Sequence, residues 1–374
     1  MNIKDMIVLK KKHRKSLKSS KGEASGLNSM QTLWSLRTIT KLSGHKTFIT
    51  DQGFSDDELA IALGLETYID GEEKYTRSTV LKQLKKILNK AEKETPKQHV
   101  CSDNYRKISV LLNLSDVEIS ILEFIVNLQT NPLLETALDM LGGLSITKLY
   151  HSLSIILNIP PSNIQQAFSP TSTLFNSGLI TIDYECLKYS IKDSIDVFST
   201  KFAYQIDSDE FDFTELLEGF MIKCPKPILD MSDYNHIQST LDVLIPYLQH
   251  NLTNPSKGVN ICIYGPPGTG KTELSCVISN VLNADLYAIS SQNEDGEAVD
   301  GEKRLRSFNT AQKFLARQRA LLLFDEMEDV FNDGGLFTKS IADRHKSWIN
   351  RTLEENTVPT LWVSNNIHID EAFV

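Results

Sequence analysis

The chain has 374 residues, room for two or three domains, and its 41% apolar and 23% charged content is ordinary for a folded globular protein. A formal net charge of −9 excludes a general nucleic-acid binder by overall charge, and no apolar run approaches the roughly 20 residues that span a bilayer. The five cysteines (Cys101, Cys186, Cys224, Cys262, Cys276) show no C-x-x-C pair and no regular spacing, which predicts a reducing, cytoplasmic setting without membrane attachment.

The charge is uneven. Between Met1 and Lys21 there are eight Lys/Arg against one acid, Asp5. Residues 1–29 read as a disordered basic arm, solubilising or in contact with nucleic acid or an acidic surface. Residues 30–100 read as a small helical region. In it, Ser55-Asp56-Asp57-Glu58 is a capping box ahead of Leu59, Ile61, Ala62 and Leu63. Thr79 to Lys93 is amphipathic, with Val80, Leu84, Ile87, Leu88 and Ala91 on one stripe and a Lys-rich solvent face opposite. Thr95-Pro96 ends that helix.

Residues 101–205 read as a separate α+β unit. Ser115-Asp116-Val117-Glu118 caps a helix through Leu128, Asn131-Pro132 interrupts the pattern, and Gly142-Gly143 stops it. Ser145 caps a helix to about Leu157, and Pro160-Pro161-Ser162 starts a short one through Phe168. Ser177–Ile182 and Leu187–Ile191 are expected to pair as a two-stranded hairpin. Helices followed by a hairpin resemble a winged helix-turn-helix module. A DNA reader needs cations for phosphates, yet Pro161 to Gly178 holds no Lys or Arg. That favours protein contact or internal packing. Residues 206–232 form an acidic, aromatic, Pro-marked connector around Asp207–Phe213, Pro225 and Pro227. Tyr234 to Leu252 then predicts a helix leading into a nucleotide-binding core over 233–374.

The core carries three chemical motifs. The first is Gly265-Pro266-Pro267-Gly268-Thr269-Gly270-Lys271-Thr272, a match to G-x-x-x-x-G-K-[ST]. It follows the strand-like run Val259–Tyr264 and opens a helix-like run from Thr272 to Leu282. Glycines let successive N–H groups turn inward on a phosphate, and the helix N-terminus adds a favourable dipole. Gly265 through Glu273 are the candidate nucleotide-binding residues. Lys271 reaches the β/γ-phosphates and Thr272 offers its hydroxyl to Mg²⁺. Fifty-four residues after Lys271 comes Leu321-Leu322-Leu323-Phe324-Asp325-Glu326, a buried strand delivering two acids at its carboxyl end. Asp325 is the candidate Mg²⁺ ligand and Glu326 the candidate base that orients the attacking water. The third is Thr360–Ser364 followed by Asn365-Asn366, where an uncharged amide at a strand end can contact both γ-phosphate and water.

Glycine loop, acid pair and Ser364-Asn365 strand end, in this order and spacing, resemble the AAA family of ATPases, members of the P-loop NTPases. Ile369-Asp370-Glu371-Ala372-Phe373 is similar to the stretch that follows the asparagine in that family. The resemblance covers about Asp233 to Val374. It implies an α/β core of parallel sheet and flanking helices, here preceded by a mainly α-helical N-terminal region. It implies ATP and Mg²⁺ as cofactors, hydrolysis assisted by Glu326 and Asn365, and a homo-oligomer, usually a hexamer, that remodels protein or nucleic-acid partners. Tyr234 to Ile237 aligns loosely with the segment that contacts adenine.

Two departures qualify this. Members that thread polypeptide carry an aromatic-apolar-Gly loop, whereas the aligned Val299-Asp300-Gly301-Glu302 lacks the aromatic. The acids Glu294, Asp295, Glu297 and Asp300 around it suit a cationic partner or a solvated loop. The family's fifth strand, neighbour-acting arginines and helical lid follow the asparagine strand. The chain is therefore read as truncated at Val374, its strand Val259–Tyr264 left as an exposed edge and its own hydrolysis weak. The competing expectations are a nucleotide-gated DNA-binding regulator, built on the hairpin unit and basic arm, and a catalytically weak scaffold that uses nucleotide only for assembly.

Overall fold

The computed structural model describes residues 26–94, 102–169, 171–208, 219–292, 297–331 and 346–365. The basic residues before 26, Thr95-Pro96, Cys101, most of the Asp207–Phe213 connector, Glu294-Asp295, Asn366 and Ile369–Phe373 lie outside the described residues. The chain divides into two units, one of residues 1–99 with 131–143 and one of 100–130 with 144–374. The segment 131–143, inside the 101–205 span drawn from the sequence, groups with the first unit.

In the first unit, helices Ser29–Lys41, Arg77–Glu94 and Pro132–Asp139 enclose Leu33, Leu36, Ile39, Phe48, Leu59, Leu84, Leu88 and Ala137. Burying such side chains stabilises the unit by roughly 1.5–3 kcal/mol each. The strands β1 (Ile49–Thr50) and β2 (Gly53–Phe54) pair antiparallel. The Asn131-Pro132 interruption is a helix start. Asn131 Oδ1 accepts from Leu133 N at 3.0 Å and Leu134 N at 3.1 Å, and Pro132 needs no acceptor at that position. At the expected Ser55 capping box, Asp56 is the residue that caps, its Oδ1 accepting from Leu59 N at 2.7 Å. A carboxylate one residue later is the better acceptor for the helix's positive end.

In the second unit, the Ser115/Glu118 box forms as expected, Ser115 N donating to Glu118 Oε2 at 2.9 Å. The hairpin does not form between the expected runs. Strand β3 (Ile180–Ile182) pairs antiparallel with β4 (Ile195–Val197), not with Leu187–Ile191. Asp183 Oδ1 accepts from Glu185 N at 2.8 Å and Cys186 N at 3.2 Å, winding the chain into the 3₁₀ turn Cys186–Lys188. Ser190 then caps the helical turn Ile191–Ser194. Local side-chain hydrogen bonds thus draw Leu187 and Ile191 out of a strand, although both remain buried.

The central sheet runs β5 (Met221–Lys223), β7 (Asp285–Ile289), β8 (Ala320–Phe324), β9 (Thr360–Ser364), β6 (Asn260–Tyr264). All neighbours are parallel except β5 and β7. Every residue of β8 and β9 is buried, as their continuous apolar runs require. Phe324 stacks on Trp362 with ring centroids 4.8 Å apart, locking β8 to β9. The buried Gln312 accepts from Thr357 N at 2.9 Å and Val358 N at 2.7 Å and aims the chain into β9. The run from Tyr234 begins as the 3₁₀ turn Met231–Ile237 and becomes α-helical over Gln238–Thr253.

Among the described residues, strand β6 lies at the end of the sheet order. Cys262 on it is exposed, because alternate side chains of a strand point to opposite faces. Cys276 is buried. Burial pushes its thiol up, and it pushes the Cys224 thiol up to about 12 with the neighbouring Cys276 adding to it, so both stay protonated in the core.

Helix Gly301–Leu315 packs on this sheet and also carries the β3/β4 hairpin. Arg306 donates to Gly178 O at 3.3 Å and pairs with Asp196 at 3.3 Å, and Thr310 Oγ1 donates to Ser177 O. Gly178 has φ +74°, and a Cβ there would meet Arg306 O at 2.9 Å. A Gly178→Val variant is therefore expected to lose about 2 kcal/mol or more of stability. A thermal melt checks this; an unchanged Tm would mean that the hairpin is not held on the helix by this close approach.

Candidate functional site

The three motifs meet because β9 inserts between β6 and β8. Their carboxyl ends are then adjacent, and each delivers one motif: the glycine loop after β6, Asp325-Glu326 after β8 and Asn365 after β9. Crevices at the carboxyl ends of such strands are where α/β sheets bind ligands.

The loop takes its shape from two glycines. Gly268 has φ +79° and Gly270 φ +78°, a region other residues enter at a cost. Gly270 caps helix Lys271–Val281, and its carbonyl accepts from the Tyr234 hydroxyl at 3.1 Å. A Cβ at Gly270 would come within 3.3 Å of that hydroxyl. Tyr234, from the segment aligned with adenine contact, thus buttresses the loop from outside. Thr269 Oγ1 donates to Pro266 O at 2.9 Å and closes the turn through Pro267.

The Lys271 ammonium donates to Gly265 O at 2.9 Å, Pro266 O at 2.9 Å and Asn365 Oδ1 at 3.0 Å. These three acceptors match its three N–H donors. The geometry holds the cation at the mouth of the loop, beside the amide of β9. Glu273 turns the other way: its Oε1 accepts from Leu229 N at 2.9 Å and from Ile228 N, clamping the strap that precedes the first core helix.

Thr272 Oγ1 donates to Asp325 Oδ2 at 2.7 Å. Adjacent oxygens of an octahedral Mg²⁺ shell lie about 3 Å apart, so this pair fits neighbouring positions on one ion. Mg²⁺ takes one or two protein oxygens and completes its shell with water and phosphate, which a hydroxyl and one carboxylate can supply.

Glu326 is exposed and adopts φ +51°, a left-handed conformation that costs a non-glycine residue on the order of 1–2 kcal/mol. Three contacts impose it. Glu326 N donates to Asp325 Oδ1 at 2.9 Å, and Met327 N donates to Val363 O at 3.0 Å. The third is Arg304, which the sequence reading missed. It is 1% exposed, donates to the carbonyls of Asp325 and Glu326, and pairs with Asp329 Oδ2 at 2.6 Å. Its guanidinium lies 4.4 Å from the Phe324 ring centroid. A signal for it exists in the sequence: Arg304, Leu305, Phe308 and Ala311 share the helical stripe that faces the sheet, where an arginine needs partners.

Glu328 was also missed. Its Oε1 accepts from Ser364 Oγ at 2.9 Å and from Asn365 N, fixing the strand end that presents the Asn365 amide to Lys271. The stretch Val299–Glu302 holds no aromatic, and Asp300 serves as N-cap of helix Gly301–Leu315, accepting from Lys303 N at 2.8 Å.

The sequence profile of the family described as "ATPase family associated with various cellular activities (AAA)" matches residues 261–372. Among similar proteins, Lon protease of Amoebophilus asiaticus is 37% identical over 70 residues, covering 18% of this chain and 8% of that protein. Spastin of Anopheles gambiae is 32% identical over 89 residues, covering 24% and 10%. Replication factor C large subunit of Picrophilus torridus is 28% identical over 107 residues, covering 28% and 26%. The aligned part thus spans between 8% and 26% of these relatives. A chain of the solved E. coli MS115-1 HORMA:CdnC:Trip13 complex superposes at TM-score 0.29 and 15% identity, over 41% of this chain and 65% of that one, a likeness too slight to carry an argument.

Replacing Arg304 by Met removes the grip on the Asp325 and Glu326 carbonyls while leaving the glycine loop intact. The expected result is a fall in nucleotide turnover of roughly 10- to 100-fold, as for small misplacements of a reacting group, with nucleotide Kd changed less than about threefold and partial rescue by Lys. Steady-state kinetics beside a binding titration checks it. An unchanged kcat, or a Kd that rises as much as kcat falls, would contradict this role.

Proposed function

We propose that this chain, which carries an ATPase domain of the AAA family over residues 261–372, uses it to bind and hydrolyse Mg-ATP and couples that cycle to remodelling of a macromolecular partner. One observation carries the reading: Thr272 Oγ1 reaches Asp325 Oδ2 at 2.7 Å while Lys271 Nζ reaches Asn365 Oδ1 at 3.0 Å. These two hydrogen-bonded pairs stand side by side at the carboxyl ends of three strands, which supports reading the first as the metal pair and the second as the phosphate pair. In this reading the loop amides from Gly265 to Gly270 cradle the phosphates. Lys271 exchanges one of its carbonyl acceptors for a γ-phosphate oxygen. Thr272 and Asp325 would hold Mg²⁺, which would supply neutralisation of the phosphate charge. Glu326 accepts a proton from the attacking water, and Asn365 orients that water against the γ-phosphate. Glu273 acts indirectly, by holding the strap over residues 228–229.

The family match supports an ATPase, and we propose a homo-oligomer, a hexamer by family likeness, with a protein partner. No helix among the described residues is long and apolar enough to cross a membrane. Cys186, Cys224, Cys262 and Cys276 are free thiols, in keeping with action in a reducing cytoplasm.

Lys271→Ala is expected to lower Mg-ATP affinity at least tenfold, by removing a charge-assisted phosphate contact. Glu326→Gln is expected to bind ATP normally and to lower turnover on the order of 100-fold or more. Calorimetric titration and phosphate release measure the two. Retained binding and turnover in Lys271→Ala would remove the proposal, and a larger complex with ATP but no turnover in the parent chain would leave only nucleotide-dependent assembly.

A further inference from the structure

The second face of helix Arg77–Glu94 is used by nothing described so far. Its inner stripe, Val80, Leu84 and Leu88, is buried in the first unit. Its outer side presents Lys82, Lys85, Lys86, Asn89, Lys90 and Lys93 around one shallow depression, and all six are exposed. Their spacing is i, i+3, i+4, i+7, i+8 and i+11, so they form one continuous line on the helix. From Lys82 to Lys93 the line is roughly 16 Å long.

The line is uncompensated. Of the two acids on the helix, Glu92 turns away to Arg37 at 3.1 Å and Lys41 at 2.7 Å. Glu94 reaches Lys90 only at 3.8 Å, both side chains being largely exposed, a contact worth little. Among the described residues Lys82, Lys85, Lys86 and Lys93 have no ion-pair partner. Lysines three and four apart on one face repel each other. A chain of net charge −9 nevertheless concentrates five cations here.

We propose that this stripe binds the phosphodiester backbone of a double-stranded nucleic acid, without reading its sequence. The alternatives fit less well. A protein interface needs an apolar centre and is depleted in lysine, whereas no apolar side chain interrupts this line. Membrane adsorption needs an exposed apolar face, and the apolar face of this helix is inside the unit. A duplex offers a phosphate on each strand about every 3.4 Å along its axis, so the stripe spans about five of them. Asn89 sits among the lysines, where an amide can donate to phosphate or sugar oxygens. The inference is independent of the nucleotide site.

The test uses the full chain and a fluorescein-labelled 20-base-pair DNA duplex, with anisotropy titrations at several salt concentrations between 50 and 200 mM. The comparison is a variant with Lys82, Lys85, Lys86, Lys90 and Lys93 all changed to Gln, a surface change checked for folding by circular dichroism and unaltered basal ATPase. The parent is expected to bind, and the variant to bind at least tenfold more weakly at 50 mM salt. The slope of log K against log salt should be shallower in the variant by about 4.5, since each of the five neutralised phosphates contributes about 0.9. No binding by the parent would overturn the proposal. So would equal affinity and slope in the variant, which would put binding elsewhere, for instance on the cations before residue 22. Displacement of the duplex by polyglutamate, or by phosphatidylserine vesicles, at equal or lower charge concentration would also overturn it in favour of an acidic protein or a lipid surface.

Discussion

The hydrogen bond from the Thr272 hydroxyl to the Asp325 carboxylate, 2.7 Å long, is the contact on which the rest of the site depends. It joins two residues 53 positions apart that belong to different strand–helix units. It can form only because β9 lies between β6 and β8 and keeps all three carboxyl ends level. That order is itself a packing result. The strands β8 and β9 are buried throughout, and Phe308, Phe324, Phe331 and Trp362 interlock around them. Apolar burial sets the sheet order, and the order sets the distance between hydroxyl and carboxylate.

A second layer holds the reacting groups in conformations that would be costly by themselves. Burying a guanidinium is expensive unless its donors are matched. Arg304 meets that condition in part: its two terminal nitrogens bind two carbonyls and one carboxylate, the carbonyls belonging to Asp325 and Glu326, while its buried Nε has no hydrogen-bond partner. The same interaction therefore offsets the desolvation of the arginine and the left-handed backbone of Glu326. Glu328 does the corresponding work for Asn365. Helix Gly301–Leu315 carries Arg304 on one face and the β3/β4 hairpin, through Arg306 and Thr310, on another. A shift of the hairpin and a shift of the acid pair would both act on that helix, so the two regions are mechanically linked inside one unit.

The positions of the glycine loop, Asp325-Glu326 and Asn365 at strand ends were legible in the sequence because each follows a largely apolar run. The strands β8 and β9, buried throughout, have few other ways to read, whereas β6 is only partly buried. The helices capped at Ser115 and Ser145 were legible for a similar reason, a local interaction written in adjacent residues, whereas Asn131-Pro132 read as an interruption and is a capped helix start. What escaped depends on tertiary context. Strand β5 is three residues long and gains its pairing only from β7. The hairpin partner of β3 was displaced because Asp183 and Ser190 bind nearby backbone first. Arg304 and Glu328 act through backbone groups that only the folded chain brings to them. Glu273, adjacent to the loop in sequence, faces the strap at 228–229.

In the proposed site, Thr272 and Asp325 share one metal ion. A double-mutant cycle on ATP affinity, Thr272→Ala and Asp325→Asn singly and together, with and without Mg²⁺, tests it most directly. Each single variant should abolish most of the Mg²⁺-dependent gain in affinity, the pair should lose little more than either alone, and all forms should bind metal-free ATP alike. Additive losses, or losses of the same size without Mg²⁺, would mean that the two oxygens do not meet at a common ion.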